Sequence, residues 1–381
     1  MTIKKIVGKI HLWLGLTSGL VVVLLGLTGC LLAFEAEIRN ATEPFRKVEE
    51  QKKAYLLPSR LKAIADQQLQ FGKALGVEYP GRNKAAVAAY YDEKRYELLF
   101  MNPYTGEVLK YKNMNRDFFR IVLDGHFYLW LPHSIGQPIA ASATLVFLLM
   151  LISGLILWWP KNKAARKQRF SVQWSAKWRR KNYDLHNVLG FYITWIAIFI
   201  AVTGLVFGFE WFAKSVYWVT SGGKTMVEHK HPLSDSTQPR NSINMADHLW
   251  KQHLITVQPN ESIGVYFASL RSDPVEVVVN HLPGTYYQSD YFHYDQYTGK
   301  ELVATGSYAG RFKDARLADK IVRMNYDIHV GAILGISGKL LAFFASLVAA
   351  SLPITGFYIW WGRKYKKTPA REITCSSIVV S

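Results

Sequence analysis

His11-Leu12-Trp13-Leu14-Gly15, followed by Thr28-Gly29 and then Phe34-Glu35, recurs as His186-Asn187-Val188-Leu189-Gly190, Thr203-Gly204 and Phe209-Glu210 at a constant offset of 175 residues. A second pair of stretches repeats with a slip of one residue. Asp124-Gly125-His126 leads to Ser153-Gly154 and Leu157-Trp158-Trp159, while Asp327-Ile328-His329 leads to Thr355-Gly356 and Ile359-Trp360-Trp361. The chain reads as a duplication whose histidines were duplicated with it, and a repeat constrains the fold before any local signal does.

Half of the 381 residues are hydrophobic, and the net charge is +18. Such a balance suits nucleic acid or a membrane. The distribution decides for the membrane. Residues 12–34, 139–159, 188–209 and 341–361 are apolar runs long enough to cross a hydrocarbon core as helices. Tryptophans at 13, 158, 159, 211, 360 and 361 bound them like an interfacial belt.

Basic residues concentrate in three short segments. These are the N-terminus (Lys4, Lys5, Lys9), the 160–182 loop (from Lys161 and Lys163 to Arg180 and Lys181) and the tail (Arg363, Lys364, Lys366, Lys367, Arg371). The positive-inside rule places both termini and this loop in the cytoplasm and the two long loops outside. The charge is thus a topology signal, and a nucleic-acid partner has no further support. Membrane lipid is the surrounding expected.

The two cysteines, Cys30 and Cys375, imply no disulfide framework. Leu27-Thr28-Gly29-Cys30 has the form of a lipoprotein cleavage box. The same Thr-Gly in the third span, where no processing occurs, favours close helix packing through small residues instead.

The outer loops share a local grammar. A helix is expected over 58–71, strands over 85–91, 95–101 and 107–112, and a tight turn at Asn102-Pro103-Tyr104-Thr105-Gly106. The second loop repeats this with a helix near 244–254, strands near 262–270 and 275–281, an aromatic stretch at 286–294, and a turn at Tyr297-Thr298-Gly299.

Tyr-Thr-Gly turns between histidine-bearing spans that end in Leu157-Trp158-Trp159-Pro160 and Ile359-Trp360-Trp361-Gly362 resemble the PepSY-associated transmembrane helix family. Its members include bacterial inner-membrane ferric-siderophore reductases. The resemblance spans roughly residues 5–365. It implies a mainly α membrane protein: a four-helix transmembrane bundle built from a duplicated helix–outside domain–helix unit, with two small α+β PepSY-like periplasmic domains and b-type haem between the helices. The expected division is 1–34 (terminus and first span), 35–120 (outer domain), 121–160 (approach and second span) and 161–182 (basic loop). There follow 183–210 (third span), 211–322 (outer domain), 323–362 (approach and fourth span) and 363–381 (tail).

Histidines beside membrane spans are functional hypotheses by default. On this topology His11 and His186 share the cytoplasmic face, and His126 and His329 the outer one. Two facing imidazoles fill both axial positions of a haem iron, which suits electron transfer. The chain has no Cys-x-x-Cys-His, so two haem b groups would be held non-covalently, one near each surface.

His126 and His329 precede their apolar runs by 13 and 12 residues, about 20 Å of straight helix, so the outer haem is expected at or above the headgroups. Pro132 and Pro138 should break that helix and lower it. His133 is the rival ligand to His126, although its counterpart is Ile336. Asp124, Asp184 and Asp327, each two residues before a histidine, either cap helices or orient imidazoles. Arg116, Arg120 and Arg323 either pair with haem propionates or anchor at the interface.

Among the other histidines, His229-Lys230-His231 suggests a metal site but reads more simply as a solvated loop. Tyr286, Tyr287, Tyr291, Phe292 and Tyr294 divide between an outer substrate face and the core.

The function expected is haem-dependent oxidoreduction. An unidentified cytoplasmic donor would supply electrons to an acceptor outside, and the resemblance implies that this acceptor is a ferric siderophore in the periplasm, which releases its iron on reduction. No nucleophile arrangement, P-loop or Rossmann fingerprint is present. Two other readings stand beside this one: a non-redox PepSY module that regulates a peptidase, and a siderophore or iron permease.

Overall fold

The computed structural model describes residues 2–160, 166, 169–239 and 243–365. Lys161, Lys163 and Lys167 of the basic loop, and Lys366, Lys367, Arg371 and Cys375 of the tail, lie outside them.

The chain opens with α1 (Ile3–Ala33), a helix about 46 Å long. It turns at Phe34 into the short α2 (Glu35–Thr42). The first outer unit holds α3 (Pro58–Gln68), started by a proline at its first position, and strands β1 (Gly76–Tyr79), β2 (Ala86–Tyr91), β3 (Tyr96–Met101) and β4 (Val108–Asn113). Asp117 caps α4 (Phe118–Tyr128), and α5 (His133–Trp158) follows. The second half gives α6 (Trp178–Gly208), α7 (Glu210–Thr220), α8 (Met245–Leu254), β5 (Ser262–Tyr266), β6 (Val275–Asn280), β7 (Ser289–Tyr294), β8 (Glu301–Leu302), α9 (Leu317–His329) and α10 (Gly335–Lys364).

Among the described residues, four helices are long and apolar enough to cross a membrane: α1, α5, α6 and α10 with the turn before it. Helix α1 packs against α5 and α10, and α6 packs against the same two, so the four form a closed ring. Small residues bring the helices close. A Cβ on Gly26 of α1 would stand 2.9 Å from Ala350 Cβ of α10, and one on Gly208 would stand 2.6 Å from Ala141 Cβ of α5.

The two outer units are not separate domains. Their strands form one eight-stranded antiparallel sheet in the order β4-β3-β2-β1-β5-β6-β7-β8. The seam is β1 against β5, with Val77 opposite Val265. Each half-sheet would otherwise expose an edge, and pairing the edges removes both. Helices α3 and α8 cover one face over a shared core that includes Leu61, Leu99, Leu249, Trp250, Val265 and Val277. Asp247 of α8 accepts from Ser59 N at 2.9 Å and from Ser59 Oγ at 2.5 Å, locking the two helices together. Strand β1 was not expected from the sequence. At four residues it is too short to alternate visibly.

The approach helices do not continue into their spans. Leu129 and Trp130 both take left-handed backbone, and α5 begins after Pro132. Pro138 lies inside α5 without ending it. Gly125 leaves room for the Trp130 ring, whose Nε1 donates to Ile121 O at 2.8 Å. At the equivalent corner Gly331 and Gly335 have φ of +78° and +61°. Both corners fold α4 and α9 back along the bundle, with α4 against α1 and α5 and α9 against α6.

A buried ionic cluster ties the first corner to the sheet. Arg39 of α2 donates to Glu35 at 2.7 Å, to Glu43 at 3.1 Å and to both oxygens of Asp117, which Lys112 also reaches at 2.6 Å. Burial opposes ionisation of Asp117, yet Arg39 and Lys112 hold its carboxyl well below the usual carboxylate range. Replacing Arg39 by alanine strands these acids and should destabilise the chain by about 3 kcal/mol, read by denaturant titration in detergent. A change under about 0.5 kcal/mol would mean that Lys112 alone satisfies them.

On the sheet, His281 meets Glu261 through Nδ1 at 2.9 Å and Asp290 through Nε2 at 3.0 Å, which only the imidazolium can do as a double donor. Partial burial lowers its pKa, but the two carboxylates outweigh that and raise it. Stability from this group is present below the unfolded histidine value of about 6.5 and is lost as pH rises through the folded value. His281→Asn should therefore lower the melting temperature more at pH 6 than at pH 9. An equal loss at both would refute the charged form.

Candidate functional site

Each of the four duplicated histidines meets a hydroxyl-glycine dipeptide on a neighbouring helix. His11 Nδ1 lies 2.8 Å from Ser153 Oγ, and His186 Nδ1 lies 2.9 Å from Thr355 Oγ1. His126 Nδ1 lies 2.8 Å from Thr28 Oγ1, and His329 Nδ1 lies 3.0 Å from Thr203 Oγ1. The glycine that follows each hydroxyl gives the ring its space. Cβ atoms on Gly154, Gly356, Gly29 and Gly204 would stand 3.6, 3.2, 3.4 and 3.2 Å from the Cε1 of the same four rings.

These hydroxyls fix the tautomer. A hydroxyl has one proton, and each donates it to its own helix: Thr28 to Leu24 O at 2.7 Å, Thr203 to Phe199 O at 2.7 Å, Thr355 to Ser351 O at 3.0 Å and Ser153 to Met150 O at 3.2 Å. The oxygen is then left to accept from Nδ1–H. His329 Nδ1 also lies 3.0 Å from Ile200 O, which can only accept. With the hydroxyl proton so placed, a neutral ring carries its proton on Nδ1 and keeps the Nε2 lone pair, the form a metal-ligating histidine takes when a second group orients it.

The rings pair as the topology requires. His126 and His329 have centroids 6.1 Å apart at an interplanar angle of 65°. A metal bound by both Nε2 atoms at about 2 Å each would hold ring centres roughly 6 Å apart. His11 and His186 line one cavity of about 410 Å³ inside the ring of helices. That volume is in the range of small-molecule sites. Its wall is apolar and glycine-rich, with Trp158 and Trp360 along it and Arg169 and Arg363 among its few charged residues. Two neutral imidazoles, an apolar slot and cationic partners for carboxylates are a donor set that fits haem b.

The outer pair sits lower than 20 Å of straight helix would put it. Because α4 folds back, His126 lies beside Thr28 and Gly29, within α1 rather than beyond its end. His133, the rival ligand, is exposed and stacks on Tyr128 with centroids 4.8 Å apart. The structure thus brings together His126 and His329 and leaves His133 outside.

The three aspartates neither cap helices nor reach imidazoles. Asp124 pairs with Arg120 at 3.7 Å on the surface, and Asp184 with Arg180 at 2.9 Å. Asp327, fully buried, accepts from Tyr286 N and Tyr287 N at 2.9 Å each. All three stand inside their helices, where a cap has no role, and Nδ1 of each imidazole is already taken.

The expected propionate partners are also corrected. Arg116 and Arg120 are exposed. Arg323 is buried and spends all five N–H donors on the carbonyls of Ser307, Ser289, Ala309 and Gly310. It holds a loop and has no donor left for a ligand. Arg169 and Arg363 were missed as site residues because the positive-inside pattern already accounted for their charge.

A second cavity, about 560 Å³, lies between the sheet and the bundle end that carries the outer pair. Leu32 and Ala33 at the end of α1 line it, as does Val330, which follows His329. Its polar wall includes Tyr96, Tyr266, Tyr286, Tyr326, Arg46 and Lys84. Of the five aromatic residues set aside for an outer face, only Tyr286 is here. Tyr287 packs on Phe312, Tyr291 on Tyr308, and Phe292 and Tyr294 enter the sheet core.

A search of curated proteins finds no match to this chain. The pattern of the PepSY-associated TM region matches residues 9–363, nearly the whole chain, in agreement with the four membrane-length helices. The chain is a membrane protein and belongs to the PepSY-associated TM region family.

Proposed function

We propose that the chain is a two-haem b-type cytochrome of the bacterial inner membrane, a duplicated helix–outer unit–helix protein. It would pass electrons from a cytoplasmic donor to a ferric siderophore in the periplasm. The observation that carries this reading is the fourfold contact of Nδ1 with a helix-borne hydroxyl, made by two rings 6.1 Å apart and by two that line one cavity. Bound haem b would supply a one-electron carrier at each pair.

The chain's own residues would do the rest. His11 and His186 would hold one group, with Arg169 and Arg363 available to its carboxylates. His126 and His329 would hold the other. His11 and Thr28 stand 17 residues apart on α1, about 25 Å along its axis, so two carriers divide a membrane that one would not cross. The cavity beside Val330 is the acceptor site in this reading, and its tyrosines and cations suit a ligand rich in anionic oxygen. One electron converts Fe(III) to Fe(II), which hard oxygen donors hold less well.

Purified protein should be red and carry about two haems per chain by pyridine haemochrome assay. His186→Ala should lose one haem and His329→Ala the other. A folded but colourless protein would overturn the reading in favour of a peptidase-regulating module or a permease. Dithionite-reduced protein should be reoxidised by a ferric siderophore, and no reoxidation would remove that substrate.

The hydroxyls give a finer test. Thr203→Val keeps shape but removes one of the two oxygens that face His329 Nδ1, the other being Ile200 O, so haem retention at the outer site should fall about tenfold. The inner site should be unchanged. Equal loss at both sites would show a general folding defect instead.

A further inference from the structure

His229-Lys230-His231, read from sequence as a solvated loop, lies against the sheet. Lys230 forms a bridge with Thr305, and His229 Nδ1 donates to Thr305 O at 2.9 Å. The approach is close enough that a Cβ on Gly306 would come within 2.8 Å of His229 Cα, and φ there is +89°. Alternate residues of an extended segment share a side, and the His229 and His231 rings are 4.6 Å apart.

Across from them, Glu276 of β6 and His293 of β7 are directly opposed in the sheet register. His231 Nδ1 is 3.3 Å from His293 Nε2, and His293 Nε2 is 3.8 Å from Glu276 Oε1. One ligand atom from each of the three residues falls within 4.8 Å of the other two.

We propose that His231, His293 and Glu276 form a binding site for a divalent transition-metal ion such as Zn(II) or Fe(II). Two nitrogens bonded to a tetrahedral ion at about 2.0–2.1 Å lie roughly 3.4 Å apart, close to the separation observed. Two histidines and one carboxylate are the donor set of open zinc sites and of non-haem ferrous sites. His229 lies beside the three, its ring 4.6 Å from that of His231. Its Nδ1–H is committed to a backbone carbonyl, which leaves Nε2 its lone pair.

The site is anchored on one side and open on the other. His293 is only 2% exposed, whereas His231 faces solvent and gives an ion its way in. Val275, Val277 and Val279 of β6 alternate with Glu276 and point into the core under α3 and α8, so Glu276 shares the opposite face with Val278 and Asn280. Asn280 lines the cavity above the outer histidine pair, four residues or about 13 Å along the strand. The proposal stands independently of haem, because none of its residues belongs to the bundle.

Equilibrium dialysis of the full chain in detergent, stripped with chelator and then exposed to Zn(II), tests it. The expected result is one more equivalent of zinc on the wild type than on His231→Ala/Glu276→Gln, with each single variant at least about tenfold weaker. Anaerobic Fe(II) should compete, and excess Mg(II) should not, since magnesium prefers oxygen donors. Lys230→Ala, whose side chain pairs outward with Glu228 at 3.8 Å, should bind like the wild type. Equal zinc on wild type and double variant, or displacement by Mg(II), would overturn the site. The haem content of these variants should match the wild type, which separates this result from any failure of the cytochrome reading.

Discussion

The bond from an imidazole Nδ1–H to a hydroxyl on another helix is the constraint on which the bundle's arrangement turns. It is made four times, always to the residue before a glycine. Within a bilayer no water competes for such a bond, and an unpaired polar group there is costly. The hydroxyl satisfies Nδ1, its own proton satisfies a carbonyl of its helix, and the glycine removes the side chain that would keep the ring away. Among the described residues no hydrogen bond engages Nε2 of these four rings.

That pattern also explains the corners. A straight α4–α5 helix would carry His126 away from Thr28. Two left-handed residues, Leu129 and Trp130, reverse the chain at a cost of the order of 1–3 kcal/mol each. The indole of Trp130, packed over Gly125 and bonded to Ile121 O, helps to hold the strained turn. The second half reaches the same result with glycines at 331 and 335. Different residues serve one geometric demand, to bring His126 and His329 within 6.1 Å of each other.

Much of this was legible in the sequence. The four spans and most outer strands followed from hydropathy and turn signals, and the repeat offsets had set His126 against His329. What escaped was tertiary. The Thr-Gly repeats were visible, but they read as helix-packing signals. Gly26 does pack on Ala350, whereas Gly29 accommodates an imidazole. Arg323 looked like a ligand partner because sequence shows its charge and not the four carbonyl-bearing residues that use it. Two outer domains were expected because each loop has its own helix and strands. That their edge strands would join could not be read from either loop alone.

The joined sheet matters for what lies beneath it. Asp327 sits on α9 two residues before His329, and it accepts the amides of Tyr286 and Tyr287 at the entrance to β7. Arg323, one turn earlier, grips the loop from Ser307 to Gly310. On the other side Asp117, the cap of α4, accepts from Arg39 of α2 and from Lys112 of β4. Each helix that carries an outer histidine is thus fastened by buried charge to its own half of the sheet, and the β1–β5 seam fastens the halves to each other. A displacement of the sheet would be felt at both rings of the pair. The cavity between sheet and bundle is bounded by the same fastenings. A molecule filling it would press on Tyr286 and Tyr326, the second of which lies one residue before Asp327. Tyr326, which lines the cavity, and His329 therefore stand on the same helix, within one turn of each other.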